Sequence, residues 1–208
     1  MMQGQIKILT VDDHPIFREG IDTIISSQAD MLSVAQASDS AQAIVEFRRH
    51  RPDITLMDQR LPDVSGTDTV MAIRGEFPKA KIIMLTTFDG DIEIQQALRA
   101  GALAYVLKST PKCELLEIIR NVSLGRKCIP PNIAIRLAEH LGSEELTGRE
   151  LEVLRLIRNG LRNKQIAGEL EISETTVSFH IKNLVDKLQA NDRTHAVTVA
   201  LRRGLVQM

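Results

Sequence analysis

The chain has 208 residues, enough for one large or two modest domains that each bury a core. Its 43% hydrophobic and 25% charged residues are ordinary for globular proteins, and no apolar stretch approaches the ~20 residues that span a bilayer. A net charge of −1 excludes a strongly basic or acidic tail, and two cysteines in unrelated contexts exclude a disulfide framework. These values predict a cytoplasmic protein without membrane contact.

Between residue 6 and about residue 124, five short β-branched runs alternate with segments of helical period. Because parallel neighbours need crossover helices, this alternation predicts an α/β fold, a doubly wound five-stranded parallel sheet of order 2-1-3-4-5. The predicted strands are Ile6–Val11, Leu32–Ala37, Ile54–Met57, Lys81–Leu85 and Ala104–Leu107. The predicted helices are roughly Pro15–Ser27, Ser40–His50, Gly66–Glu76, Asp91–Ala100 and Pro111–Leu124.

A double proline in Gly125–Asn132 ends this alternation. A short helix over Ile133–Leu141 is expected next, and no strand run follows Leu146 until the last residues. We therefore predict a first domain at 1–125, a linker with a short helix at 126–144, and a small all-α four-helix domain at 145–208. Its helices are expected at about Thr147–Asn159, Lys164–Leu170, Glu174–Gln189 and Arg193–Arg203.

Polar residues follow four of the predicted strands. Asp12 and Asp13 follow the first strand, Asp58 the third, Thr86 the fourth and Lys108 the fifth. In an open parallel sheet these ends meet at one edge, where ligands bind. Three carboxylates, a hydroxyl and an ammonium group at this edge predict a site for Mg²⁺ and a phosphoryl group.

In such a site Asp58 is the candidate carboxylate nucleophile. Lys108 and Mg²⁺ would neutralise the transferring oxygens, and Thr86 would donate a hydrogen bond to one of them. Taken singly, each residue has a simpler interpretation as a helix cap, a loop charge or a strand-end residue. Their coincidence at one edge favours the site.

Residues 6 to about 124 resemble the receiver domain of bacterial two-component response regulators. The resemblance is carried by VDDHPIFREG, LMDQRLPDVSG, MLTTFD and AGALAYVLKS. It implies that Asp58 accepts phosphate from a sensor histidine kinase. It also implies that Asp13, Asp58 and the main-chain carbonyl of Arg60 ligate Mg²⁺, with Asp12 acting through bound water. Thr86 and Tyr105 would be the switch pair, in which the hydroxyl moves to the phosphoryl group and the ring turns inward.

The C-terminal helices have a helix-turn-helix layout. Val177, Ile181, Leu184 and Leu188 share one face of the third helix, with Ile172 available to fill the corner of the turn. The opposite face carries the residues predicted to read DNA bases, Ser178, Phe179 and Lys182. Predicted phosphate contacts are Arg162, Lys164, Lys187 and Arg193, although each could be a solvated helix residue.

Residues 145–206 resemble the DNA-binding domain of the NarL/FixJ, or LuxR-type, regulators. The resemblance rests on LTGRELEVLRLI and NKQIAGELEISETTVSFHIKNLVDKL. It implies a four-helix domain whose last helix often mediates dimerisation. Many members have lysine where this chain has Ser178, so we expect DNA binding to depend on dimerisation.

The sequence thus predicts a phosphorylation-dependent regulator that binds promoter DNA as a homodimer, with RNA polymerase as a further partner. It is not expected to be an enzyme beyond its own phosphorylation and slow dephosphorylation. The alternatives are an aspartyl-phosphate phosphohydrolase, a quorum-sensing receptor and a phosphate-independent regulator. The position two residues after Asp58 is Arg60 rather than an acid, and 3% aromatic residues suit a lipid pocket poorly. Whether phosphorylation promotes dimerisation or releases the DNA-binding domain stays open.

Overall fold

The structure, a computed structural model, describes residues 4–87, 90–139 and 144–206. Five strands and ten helices lie in these ranges. The strands are β1 (Ile6–Val11), β2 (Met31–Ala37), β3 (Ile54–Asp58), β4 (Ile82–Thr86) and β5 (Ala104–Leu107). The helices are α1 (Pro15–Ser26), α2 (Ser40–His50), α3 (Gly66–Glu76), α4 (Asp91–Arg99), α5 (Lys112–Ser123), α6 (Pro131–Glu139), α7 (Gly148–Arg158), α8 (Asn163–Glu169), α9 (Glu174–Lys187) and α10 (Arg193–Arg203).

The described residues divide into two compact units. The first contains residues 4–87 and 94–135, and the second contains 90–93, 136–139 and 144–206. The domain boundaries at 125 and 145 remain predictions. Among the described helices, none is long and apolar enough to cross a bilayer.

The sheet of the first unit is parallel throughout, in the order β2-β1-β3-β4-β5. The predicted order is therefore confirmed. On one face, strand residues such as Ile8, Leu56 and Val106 pack against α1 and α5. Helices α2 and α3 cover the other face, where Phe47 and Val70 are buried. Because both faces are covered, the central strands β3 and β4 are buried along their whole length and almost continuously apolar.

Helix starts in the first unit follow the capping chemistry of the sequence. Pro15 stands at the first turn of α1, where its missing N–H costs nothing. Asp39 caps α2 by accepting a hydrogen bond from the backbone N–H of Gln42, and Ser65 caps α3 by accepting one from the backbone N–H of Asp68. These caps fix the points at which the chain leaves the sheet edge.

Helix α6 differs from its prediction. It begins at Pro131, two residues earlier than expected, because proline is well tolerated at the first helical position. The double proline therefore starts a helix as well as ending the β/α alternation. The last residues of the predicted helix, 140 and 141, lie outside the described residues.

The second unit is built around α7 and α9, with α8 and α10 beside them. Buried Val153, Val177 and Leu184 belong to its core, and Ile172 packs against this core from the turn between α8 and α9. Two of its helix starts are capped: Thr147 and Glu150 form a capping box at α7, and Ser173 accepts from the backbone of Thr176 at α9. The helix-turn-helix predicted from the sequence is confirmed.

Candidate functional site

Polar side chains stand where four parallel strands end at one edge of the sheet. Asp58 and Thr86 are the last residues of β3 and β4, and Asp12 and Lys108 come directly after β1 and β5. The strand register aligns these ends. Backbone hydrogen bonds continue past them, from Asp12 to Ala37 and from Lys108 to Thr86. The structure therefore brings together residues that are far apart in the sequence.

The Lys108 ammonium group lies between two buried carboxylates. Its Nζ is 2.6 Å from Asp12 Oδ2 and 2.8 Å from Asp58 Oδ2. The Asp12 side chain is completely buried, and that of Lys108 is only 10% exposed. Removing the Lys108 charge would leave two buried carboxylates uncompensated.

The carboxyl group of Asp58 has a raised pKa. Burial is the main cause, and the neighbouring charge of Asp12 adds to it, whereas the hydrogen bond and charge of Lys108 act in the opposite direction. The backbone N–H of Arg60 also donates to Asp58 and lowers its pKa. An additional cation beside these carboxylates would therefore favour the ionised form of Asp58.

Asp13 and His14 complete a group of possible metal ligands with Asp12 and Asp58. One ligand atom from each of these four residues lies within 4.8 Å of the others. His14 Nδ1 is 2.5 Å from Asp13 Oδ1 and 3.2 Å from Asp12 Oδ1. Sequence reasoning missed His14, although its position directly after the acidic pair was an available signal. The carboxylate oxygens are the hard ligands that suit Mg²⁺.

Two residues of α1 also contact the pocket and were not predicted. The ring centroid of Phe17 is 4.7 Å from Lys108 Nζ, in a cation–π contact. The Arg18 guanidinium donates to the main-chain carbonyl of Asp12. Both residues lie in the first turn of α1, and they reach the pocket because this helix begins close to the end of β1.

The predicted switch residues occupy buried positions. Thr86 is 2% exposed at the end of β4, and Tyr105 is fully buried in β5. In β5, Ala104 and Val106 face the core shared with α1 and α5, so strand alternation directs Tyr105 to the opposite face. Their switch role stays a prediction, as does the metal role of the Arg60 carbonyl.

The exposed side of α9 carries the residues predicted to read DNA bases. Phe179 is 60% exposed. Ser178 and Lys182 are exposed beside it, while Val177 and Leu184 are buried. The helix therefore separates a packed face from an exposed face, as the sequence predicted.

Two of the predicted phosphate contacts are engaged within the unit. Lys187 Nζ is 2.9 Å from Glu150 Oε2 and 3.2 Å from the carbonyl oxygen of Glu145. The Arg193 guanidinium donates to Asn163 Oδ1 and to the carbonyl of Leu161. Their phosphate contacts stay predictions, and in this structure both cations support the packing. Arg162 and Lys164 are exposed at the start of α8.

The pair of Glu150 and Lys187 ties α7 to α9. Burial opposes the ionisation of Glu150, but hydrogen bonds from the Thr147 backbone and from Lys187 outweigh it and lower its pKa. A carboxylate whose pKa is lowered by folding stabilises the fold above its ordinary pKa. That contribution is lost as the pH falls through the lowered value.

We therefore expect Glu150→Gln to destabilise the second unit by about 2 kcal/mol at pH 7, because a charge-assisted pair is lost. The difference from the parent chain should shrink as the pH falls below the ordinary glutamate pKa. Urea unfolding, followed through NMR amide signals of α7 and α9, measures it. Glu152→Gln is the control, since Glu152 forms an exposed pair with Arg149 that contributes little. Equal effects of the two changes would contradict this prediction.

The chain combines a parallel sheet that has clustered carboxylates at its carboxyl edge with a helix-turn-helix unit. This combination is typical of a DNA-binding regulator with a small-ligand pocket. Comparison with known proteins specifies this class. Residues 8–120 match the response regulator receiver domain, and residues 144–200 match the luxR family of bacterial regulatory proteins.

Similar proteins match along nearly the whole chain. YxjL of Bacillus subtilis (strain 168), a transcriptional regulatory protein, is 37% identical, and the match covers 100% of both chains. The response regulator VraR of Staphylococcus aureus is 35% identical over 97% of this chain and 99% of its own. Among solved structures, the crystal structure of ChrA, the response regulator of a heme-sensing two-component system, matches with a TM-score of 0.60. The two sequences are 32% identical, and the match covers 98% of this chain and 100% of ChrA.

The chain therefore belongs to the two-component response regulators with a LuxR-type DNA-binding domain. This family consists of transcription regulators rather than metabolic enzymes. Its receiver domain implies a histidine kinase as the partner in signalling.

Proposed function

We propose that Asp58 accepts a phosphoryl group from a sensor histidine kinase, and that this modification controls binding of the chain to promoter DNA. One observation carries the proposal. The Lys108 ammonium group contacts the carboxylates of both Asp58 and Asp12 at the carboxyl edge of the sheet, with Asp13 beside them. A nucleophile, a cation and further acidic ligands are the components that phosphoryl transfer to a carboxylate requires.

The chain's own residues perform the transfer. A carboxylate oxygen of Asp58 forms a bond to phosphorus while the bond from phosphorus to the kinase imidazole nitrogen breaks, and the imidazole leaves. Lys108 is placed to donate to the transferred oxygens, and Thr86 supplies a hydroxyl donor at the neighbouring strand end. Slow dephosphorylation would follow when a water molecule attacks phosphorus and the bond from phosphorus to the Asp58 oxygen breaks.

The acidic ligands fit Mg²⁺. Asp13 and Asp58 would hold the ion through carboxylate oxygens, Arg60 through its main-chain carbonyl and Asp12 through water. The oxygen-rich set and the enclosed negative charge support this assignment. When bound, Mg²⁺ neutralises charge on the carboxylates and on the phosphoryl oxygens.

Phosphorylation would act through a shift between two states. Thr86 would bond to the phosphoryl group, and Tyr105 would occupy the inward position in the phosphorylated state. Dimerisation and release of the DNA-binding domain are both consistent with this shift. A homodimer on paired half-sites would supply the affinity that one nearly neutral reading helix lacks.

Helix α9 would enter the major groove, with Ser178, Phe179 and Lys182 at base edges. Lys164 would contact phosphate from the start of α8. Lys187 and Arg193 would add phosphate contacts only if DNA drew them from their present partners. RNA polymerase is a further proposed partner at the promoter.

The whole proposal is tested with the full chain, acetyl phosphate and Mg²⁺. Intact mass spectrometry should show one added phosphoryl group. Light scattering should then show a larger fraction of dimer. Fluorescence anisotropy should show tighter binding to an operator sequence that has been selected from random DNA. A chain that takes up no phosphate, or whose phosphate leaves operator affinity unchanged, would refute the proposal.

A separate prediction concerns the reading surface. Lys182→Ala should weaken operator binding by about tenfold, or about 1.4 kcal/mol, because an exposed cation on α9 is lost at the DNA. Lys79→Ala makes the same charge change on the exposed surface of the first unit and should leave affinity unchanged. Both variants should be phosphorylated normally. Anisotropy titrations at several salt concentrations provide the measurement, and parental affinity in Lys182→Ala would exclude this residue from the interface.

A further inference from the structure

The loop that follows the phosphoacceptor reaches across to a second helix. Residues 59–65 connect β3 to α3, and the carboxylate of Asp63 lies at the first turn of α2. Both of its oxygens are 3.1 Å from the backbone nitrogen of Ser40, and Oδ2 is 3.3 Å from that of Ala41. These N–H groups are among those that a helix leaves without intrahelical partners.

The base of the same loop is fixed to the sheet. Gly66 N donates to the carbonyl of Gln59, and Gln59 N donates to the carbonyl of Leu85. Arg60 and Ser65 face each other in an antiparallel bridge. The loop is therefore held at its base by the sheet and at its tip by α2.

A further contact links the same elements beneath the loop. The Thr69 hydroxyl of α3 donates to the Ser40 hydroxyl at 2.8 Å, in a buried position. Asp63 also accepts from the backbone of Val64, which fixes its own turn. Arg60 lies between the fixed base and the fixed tip, so its main chain has little freedom.

We propose that Asp63 is a positioning residue for the metal site, which keeps the Arg60 carbonyl in place by anchoring the loop to α2. The inference rests on the proposed function, in which that carbonyl is a ligand of Mg²⁺. When a metal ligand lies on a preorganised loop, less conformational entropy is lost as the ion binds, and the affinity is higher. Without Asp63, part of the binding free energy would be spent on fixing the loop.

The chain offers a matched control in Asp39. Asp39 caps the same first turn of α2, where it accepts from the backbone of Gln42 at 2.8 Å. Its other side-chain bond is to the neighbouring Ser38. Removing either carboxylate therefore weakens the start of α2, but only Asp63 belongs to the loop after Asp58.

The experiment measures Mg²⁺ binding to the unphosphorylated full chain by isothermal titration calorimetry, and melting by circular dichroism. Asp63→Ala should weaken Mg²⁺ binding by about tenfold, whereas Asp39→Ala should stay within about twofold of the parent. Both should lower the melting temperature to a similar extent. Asp63→Asn, which keeps one acceptor oxygen, should fall between Asp63→Ala and the parent and serves if the alanine variant does not fold.

Equal Mg²⁺ affinities in Asp63→Ala and Asp39→Ala would overturn the inference. If Asp63→Ala does not fold, parental Mg²⁺ affinity in Asp63→Asn would overturn it. If the parent chain bound no Mg²⁺ and took up no phosphate, the proposed function itself would fail. A parent that does both, with equal variants, would remove only the positioning role of Asp63.

Discussion

Asp58→Asn is expected to abolish phosphorylation by acetyl phosphate. The carboxamide is neutral and its oxygen is a poor nucleophile, so no bond to phosphorus forms at this position. The substitution also removes one of the two carboxylates that contact Lys108. Intact mass spectrometry after incubation with acetyl phosphate and Mg²⁺ should show only the unmodified chain, against nearly complete modification of the parent.

The control for Asp58→Asn is the same change at Asp30. Asp30 is exposed and pairs with Arg120, away from the carboxyl edge of the sheet, so labelling should match the parent. Because the raised pKa of Asp58 reflects burial beside Asp12, the neutral side chain should not destabilise the first unit. Labelling that persists in a folded Asp58→Asn chain would place the phosphoacceptor elsewhere.

Gly66→Ala should have the second large effect. A Cβ at this position would lie 1.9 Å from the carbonyl oxygen of Asp58 and 2.9 Å from its carbonyl carbon. Because the obstacle is backbone, it cannot be relieved by rotating a side chain, and α3 or the end of β3 must move. We expect a loss of about 2–3 kcal/mol in the free energy of unfolding, together with slower phosphorylation.

Gly75→Ala in the same helix is the matched control. No atom lies within 4 Å of a Cβ built at Gly75, so the added methyl group meets open space. Replacing an exposed helical glycine should stabilise the first unit by roughly 0.5–1 kcal/mol. Urea unfolding followed through amide signals of the sheet compares the two variants, and a neutral Gly66→Ala would show that the close contact is not rigid.

The sequence was sufficient for most of the fold because its pattern is consistent at every level. Alternating apolar runs and helical segments lead to the observed strand order through the rule for parallel crossovers. The errors lie at element ends. Thr86 belongs to β4 rather than to the loop, and α6 begins at Pro131, because pairing and helix entry depend on the neighbouring chain as well as on local preference.

The candidate site was predicted less completely. Asp12, Asp13, Asp58, Thr86 and Lys108 could be located because strand ends converge in a parallel sheet. Phe17 and Asp63 could not, since their contacts depend on how α1 and the β3–α3 loop leave the sheet. Lys187 shows the same limit: its position on α9 suggested an exposed cation, but its long side chain reaches Glu150, 37 residues away.

The pocket takes its groups from β1, β3, β4 and β5, so no local segment contains it. Asp12 and Lys108 are 96 positions apart, and they meet only after every crossover has been made. During synthesis, the chain would remain unable to accept phosphate until its fifth strand had paired. In the proposed function, uptake of a phosphoryl group would therefore require the completed sheet of the first unit.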